Sequence, residues 1–181
     1  MLQRSTFSLA AAVTTVILAV FVSGAPILYP MPRMSDHKLS LAGLQRVRLV
    51  VERVPGPLRD LGVSSDDVES TCRRILRKAG IEPADNEIEQ VLNVKLYALL
   101  DPNIEGAIAY VVGLRFNQPA SVDRIGRTLN LPTFARIGAG LEKTEDLQKV
   151  LMSILSDLIE DFAAEIGRAT RQLEKLETEE R

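Results

Sequence analysis

Few side chains in this chain could carry out covalent or acid–base chemistry. The 181 residues include one cysteine, Cys72, and one histidine, His37. A single thiol cannot form an intrachain disulfide, and a single histidine cannot build a multi-histidine metal site. His37 also precedes the region that we predict to fold, and that region holds no G-x-S-x-G nucleophile motif. We therefore predict no catalytic residue and no metal site, and we expect that the protein is not an enzyme.

The glycine-rich stretch Gly138–Thr144 has a superficial similarity to a phosphate-binding loop. Such a loop needs glycine just before its lysine so that the backbone can curl around phosphates. Here Glu142 precedes Lys143 and would repel them. The acidic pairs Asp66-Asp67 and 145–146 fall at predicted helix starts, where carboxylates favour the helix dipole. We predict no cofactor and identify no small-molecule substrate.

Charge and one apolar stripe point to binding. The segment 115–136 holds four arginines against one aspartate, a net charge of +3, which fits an acidic partner or lipid headgroups. A narrow apolar stripe near the C-terminus fits a partner seam or a frayed, solvated helix end. The net charge of −2 and the absence of tryptophan argue against nucleic acid. The candidate partner-binding residues are Arg115, Arg124, Arg127, Arg136, Ala169, Leu173 and Leu176.

The first 25 residues predict a membrane segment. No charged residue occurs between Arg4 and Arg33, and Phe7 to Val22 is almost wholly apolar. Residues 1–25 are either an uncleaved signal anchor, with residues 6–25 in the membrane, or a signal peptide. We favour the anchor because Pro26 disfavours cleavage after Ala25. Residues 26–40 form a proline-rich linker.

Period-two and helical patterns predict six elements in a domain over residues 41–166. The expected strands are 45–54, 91–100, 107–116 and 133–141, with 117–130 as a polar connection. The helices are 65–79, with Cys72 on its core face, and a long C-terminal helix. This predicts an α+β two-layer sandwich: a mostly antiparallel four-stranded sheet, in the order β-α-β-β-β-α, with two helices on one face. The N-terminal transmembrane or signal helix precedes it.

The predicted C-terminal helix extends beyond the predicted core. Its broad apolar stripe ends at Ile166, and residues 167–181 are a charged helical extension. If helical to Glu177, the element spans about 50 Å, so its last turns must project beyond a small domain.

The run 47–81 resembles small exported bacterial α/β proteins of uncharacterised function. In these, a strand leads through a short loop into an acidic-capped helix that ends in a turn such as Lys78–Ile81. The resemblance covers residues 41–166, while Pro55, Pro57 and the tail after Ile166 depart from it. It implies a domain outside the cytoplasm without known catalytic residues.

The expected function is binding at the membrane. We expect a membrane-anchored accessory subunit, with its domain on the periplasmic side, that binds a larger membrane or envelope protein complex, such as a respiratory or photosynthetic one. The alternative is a cleaved, secreted or periplasmic binding domain that acts alone. An enzyme of unrecognised chemistry is the least favoured hypothesis.

Overall fold

The computed structural model describes residues 34–100 and 106–179, which belong to one compact unit that begins at Met34. The predicted signal anchor or signal peptide lies outside the described residues, as does the linker up to residue 33. Within the two described ranges, no helix is both long and apolar enough to cross a bilayer.

The chain forms an α+β fold, as predicted, but it has more helices and strands than the six elements expected. The helices are α1 (Asp36–Leu39), α2 (Gly56–Asp60), α3 (Ser65–Lys78) and α4 (Leu147–Glu179). The strands are β1 (Arg46–Val51), β2 (Glu82–Ala84), β3 (Val91–Leu99), β4 (Ala107–Val122) and β5 (Arg127–Lys143).

All five strands lie in one sheet, in the order β2-β1-β3-β4-β5. β1 pairs in parallel with both β2 and β3, while β3–β4 and β4–β5 are antiparallel. The prediction of a four-stranded, mostly antiparallel sheet was therefore wrong in strand number and in pairing. It missed β2 because three residues with a central proline, Pro83, show no alternation. This strand is tolerated because it lies at the sheet edge.

The β4–β5 hairpin is much longer than predicted. The segment 117–130, expected as a polar connection, instead continues the ladder to Val122 and Arg127. The turn is one 3-10 turn, Asp123–Ile125, closed by Gly126 at φ 59°. Because β3 ends its pairing at Asn117, residues 118–131 extend past the sheet as a two-stranded ribbon, which we call the arm. Polar alternation in a ribbon with two solvated faces resembles loop composition, which explains the error.

Helix α3 follows its sequence signals. The Ser64 side chain accepts a hydrogen bond from the backbone N–H of Asp67 at 3.0 Å, as the predicted cap requires. Its apolar stripe faces the sheet, and Cys72 is fully buried as predicted. The stripe packs against β1 and α4 and thereby closes one half of the core.

Helix α4 is a continuous helix of 33 residues, so it spans about 50 Å. It runs antiparallel to β5 and covers the two long strands. Phe162 contacts Phe116 of β4 and Phe134 of β5, with ring centroids 5.3 and 5.0 Å apart. The predicted end of the core at Ile166 was one turn too early, because Ala169 is fully buried.

Two glycines of β5 leave room for side chains on the helix-facing side of the sheet, one from α4 and one from β4. A Cβ built on Gly138 would overlap the Cγ2 atom of Ile154 in α4. A Cβ on Gly140 would lie 2.6 Å from the hydroxyl of Tyr110. Glycine is the residue that allows such an approach within a strand. These residues lie on the helix-facing side, so the alternate set 135, 137, 139 and 141 faces away from the helices.

We expect Gly138→Ala to destabilise the domain by about 1–3 kcal/mol, because the added methyl overlaps a packed side chain. The matched control is Gly113→Ala on β4, where the nearest atom, the carbonyl oxygen of Lys95, would be 3.7 Å from the new Cβ. Urea unfolding of both variants checks this. Equal loss in the two variants would mean that strand propensity, not contact with α4, sets the cost.

Candidate protein-binding surfaces

The face of the sheet opposite α3 and α4 presents an apolar surface. Cross-strand pairing aligns Leu99 with Ala109 and Leu141 in one row, and Tyr97 with Val111 and Ala139 in the next. A third row holds Lys95, Gly113 and Ile137. Four large side chains here are exposed, Leu99 by 70% and Ile137 by 73%. We call this surface the open-face patch: Tyr97, Leu99, Val111, Ile137 and Leu141.

A shallow cavity of about 300 Å³ lies beside the patch. Gly113 forms its floor, since the missing side chain leaves a gap between the neighbouring strands. Charge surrounds it: the Lys95 ammonium is 2.9 Å from a carboxylate oxygen of Glu52 and 5.0 Å from the ring centre of Tyr97. The hydrogen bond to Glu52 is the main reason that the pKa of Lys95 is raised. Other lining residues are Asn93, Arg115 and Ala135.

The structure separates the four arginines predicted as one basic surface. Arg124 and Arg127 are exposed at the tip of the arm, on either side of Ile125. Arg115 is exposed on the open face, next to the cavity. Arg136 points to the other face, where its Nε donates to Asp161 of α4 at 2.8 Å and its guanidinium lies over the ring of Phe134. Arg136 therefore holds α4 against β5 rather than lying free for a partner.

The predicted C-terminal stripe is also divided, between the core of the domain and its surface. Ala169 belongs to the core of the domain, so it is not part of a free seam. Thr170 is tied to the same core, because its hydroxyl accepts a hydrogen bond from the backbone N–H of Gly43 at 3.0 Å. Leu173 is 40% exposed, and Leu176 is partly exposed. Only the last two remain available as a stripe on the projecting end of α4.

A buried ionic cluster fixes the N-terminal segment of the domain. Glu165 of α4 is 3% exposed, with the Lys38 ammonium 3.0 Å from one carboxylate oxygen and Arg168 on the other. Burial raises the pKa of Glu165, but hydrogen bonds from Arg168 and Lys38 outweigh it, so the pKa lies below its usual value. A lowered pKa means that this stabilisation is complete at neutral pH and is lost only under acid conditions, as pH falls through the folded-state pKa.

In the structure, the residues first considered for chemistry lie in a strand, in the core or at an exposed helix. Gly138–Lys143 is extended strand within β5, so the glycines do not form a loop that could surround phosphates. Burial, followed by the charge of Glu69, raises the pKa of the Cys72 thiol to about 12. His37 is exposed at α1. Among the described residues, no group of three or more histidine, cysteine, aspartate or glutamate side chains could hold a metal ion.

Sequence reasoning missed the open-face patch, although one signal was present. In β5, glycines alternate with Ile137, Ala139 and Leu141. Glycines on one face of a strand indicate that a helix packs closely against that face. The larger residues must then face outward. When the strand order is unknown, alternating apolar residues are interpreted as the face of the strand that lies in the core.

No protein-family model matches the chain, and no curated protein matches it. The fold has a limited similarity to solved structures. A minor lipoprotein from Acinetobacter baumannii is 17% identical, with a TM-score of 0.40, over 69% of this chain and 92% of that one. A PelC dodecamer from Paraburkholderia phytofirmans is 13% identical, with a TM-score of 0.39, over 65% and 86%. The rare lipoprotein B from Shewanella oneidensis is 16% identical, with a TM-score of 0.27, over 75% and 96%. These values do not assign the chain to a family.

We expect Cys72 to resist a thiol reagent in the native protein at pH 8 and to react after unfolding. A pKa of about 12 leaves almost no thiolate at that pH, and the side chain is inaccessible. Labelling followed by intact mass, with and without denaturant, measures this. Rapid native labelling would show that α3 opens readily or turns another face to the core.

Two truncations test where the core ends in α4. A chain that stops after Arg168 loses buried Ala169 and the Thr170 contact, so we expect a loss of roughly 1–3 kcal/mol and a fall in Tm of several degrees. A chain that stops after Gln172 should stay within about 0.5 kcal/mol of the full chain. Thermal unfolding distinguishes them. Identical Tm values for the two truncations would place Ala169 outside the cooperative core.

Proposed function

We propose that the protein is a non-catalytic, membrane-anchored accessory subunit whose domain lies outside the cytoplasm and that it binds and stabilises a larger membrane protein complex. The open-face patch is the observation that carries this proposal. Isolated exposed apolar residues are normal on a protein surface, but a contiguous apolar surface marks an interaction site. Here the apolar residues occupy consecutive rows of three neighbouring strands.

The occupant that fits the patch is an apolar surface of another protein. Its centre holds aromatic and aliphatic side chains, and its border holds Glu52, Lys95 and Arg115. An apolar centre with a charged rim is the usual composition of a protein–protein interface. Tyr97 adds a large contact area at low entropic cost, and the Gly113 cavity beside it can receive one side chain of the partner.

The N-terminal sequence supports the membrane location. The apolar run from Phe7 to Val22, with Arg4 on one side and Arg33 on the other, has the composition of a signal anchor. An accessory subunit that docks on a membrane complex needs such a location, because anchoring raises its effective concentration near the partner.

The test compares Ile137→Asp with Ile137→Val in the full chain. A charge buried within the interface should weaken binding at least about tenfold, whereas valine keeps the apolar surface. Both variants should keep the wild-type Tm, because Ile137 is 73% exposed. The measurement is the stoichiometry of proteins that co-purify with each variant from detergent-solubilised membranes of the native host.

A complex retained by wild type and Ile137→Val, but lost by Ile137→Asp, supports the proposal. Leu99→Asp, on the far side of the patch, should give the same loss. Equal recovery with Ile137→Asp would exclude the open-face patch as the docking surface. Recovery of the chain in the soluble fraction, with an intact mass that lacks the N-terminal segment, would favour the alternative of a secreted domain that acts alone.

A further inference from the structure

The arm is a second surface, distinct from the open-face patch. From Gln118 to Val122 and from Arg127 to Leu131, each strand pairs only with the other. About 3.4 Å per residue places the tip roughly 20 Å beyond the last pairing of β3. The base is rigid, because the Gln118 side-chain amide donates to the hydroxyl of Ser40 at 2.7 Å and to the backbone carbonyl of Ser40 at 3.1 Å.

The arm has an apolar face, a polar face and a mixed tip. The register places Gln118 with Leu131, Ala120 with Leu129 and Val122 with Arg127 on one face, so this face is apolar except at its two ends. Three of its large apolar side chains are exposed: Ile125 by 47%, Leu129 by 39% and Leu131 by 36%. The opposite face carries Ser121, Thr128 and Asn130. Three large apolar side chains exposed on one short ribbon suit a contact with lipid or with a partner.

The direction of the arm indicates what covers it. β1 and β3 begin at the end of the sheet where the arm leaves it, and α1 directly precedes β1. The ion pair between Lys38 and Glu165, and the bonds between Ser40 and Gln118, hold α1 at that same end. The described chain therefore enters the domain at α1, beside the base of the arm. α4 also projects its last turns at this end, beyond the contact between Thr170 and Gly43.

Distance permits the arm to reach a membrane that holds the N-terminal segment. The eight residues 26–33, between the predicted membrane segment and Met34, can span at most about 29 Å when fully extended. The arm reaches roughly 20 Å from the same end of the domain. A single attachment point does not fix the orientation of a domain on a surface, so a second contact would orient it.

We propose that the arm is that second contact: its tip rests on the membrane surface, with Ile125 in the lipid interface and the guanidinium groups of Arg124 and Arg127 on anionic headgroups. This inference rests on the proposed membrane anchor. Arginine next to an apolar side chain suits the interface, because the stem packs on acyl chains while the charge stays in the headgroup layer. Asp123 is the one acidic residue of the tip, so two positive charges outweigh one negative charge.

The experiment places a fluorescent reporter at the arm in the full chain. Because Cys72 is buried, a thiol introduced by Thr128→Cys takes an environment-sensitive dye selectively and leaves Ile125 in place. The labelled protein is reconstituted into phosphatidylcholine vesicles with and without phosphatidylglycerol, each containing nitroxide-labelled lipid as a quencher. The control is the same dye on Glu145→Cys, at the opposite end of the sheet.

We expect a blue shift and quenching at position 128 in vesicles with phosphatidylglycerol, and neither effect at position 145. Adding Ile125→Asp should abolish the quenching. Replacing one arginine, as in Arg124→Gln, should lower the ratio of engaged to free arm about fivefold, since each cation near an anionic surface contributes about that factor. Each variant should sediment with the vesicles as wild type does, because the anchor is unchanged.

Four results would overturn the proposal. Sedimentation without quenching at position 128 would leave the anchor intact and show that the arm is free of lipid. Equal quenching at positions 128 and 145 would show that the domain lies on the surface without a preferred contact. Equal quenching in vesicles without phosphatidylglycerol would remove the arginines from the contact. A chain that fails to sediment would overturn the proposed anchor as well as the arm contact.

Discussion

The contact between α4 and the two long strands is the interaction on which the remaining structure depends. Its centre is the aromatic group of Phe116, Phe134 and Phe162, and its closest point is Ile154 over Gly138. Burying three phenylalanines and several leucines here contributes about 25 cal/mol for each Å² of apolar surface removed from water. It also decides which face of the sheet is covered. Every large apolar residue on the other face is left for solvent or for a partner.

The same helix organises the end of the domain where the described chain begins, at α1. Glu165 can be buried only because Lys38 and Arg168 neutralise it, since an unpaired buried carboxylate would cost several kcal/mol. Lys38 belongs to α1, and Ser40, two residues later, holds the base of the arm through Gln118. One helix thus determines both where the chain joins the domain and the direction in which the arm leaves it.

The sequence predicted the features that local patterns determine. The Ser64 cap, the core face of α3 with Cys72, and the alternation of β3 and β4 all follow from period and capping. It did not predict features that depend on long-range pairing. β2 is too short to show a period, and its parallel pairing with β1 depends on the path of α3. The arm was predicted as a loop because both of its faces are partly solvated.

Of the candidate site residues, Arg124 and Arg127 lie together at one tip. Arg136 and Ala169 instead contact other residues of the domain, and neither charge nor helical spacing reveals such contacts.

The two uncovered surfaces lie at opposite ends of the same pair of strands. The outermost row of the open-face patch aligns with Ala109 of β4, while the arm ends near Val122, thirteen residues further along that strand. At about 3.4 Å per residue, this is a separation of roughly 40 Å. A membrane contact at one end would therefore hold the patch well clear of the headgroups. The patch would then meet the part of a partner that stands out from the bilayer rather than its lipid-embedded surface. Because both surfaces include residues of β4, the distance between them is set by the length of that one strand.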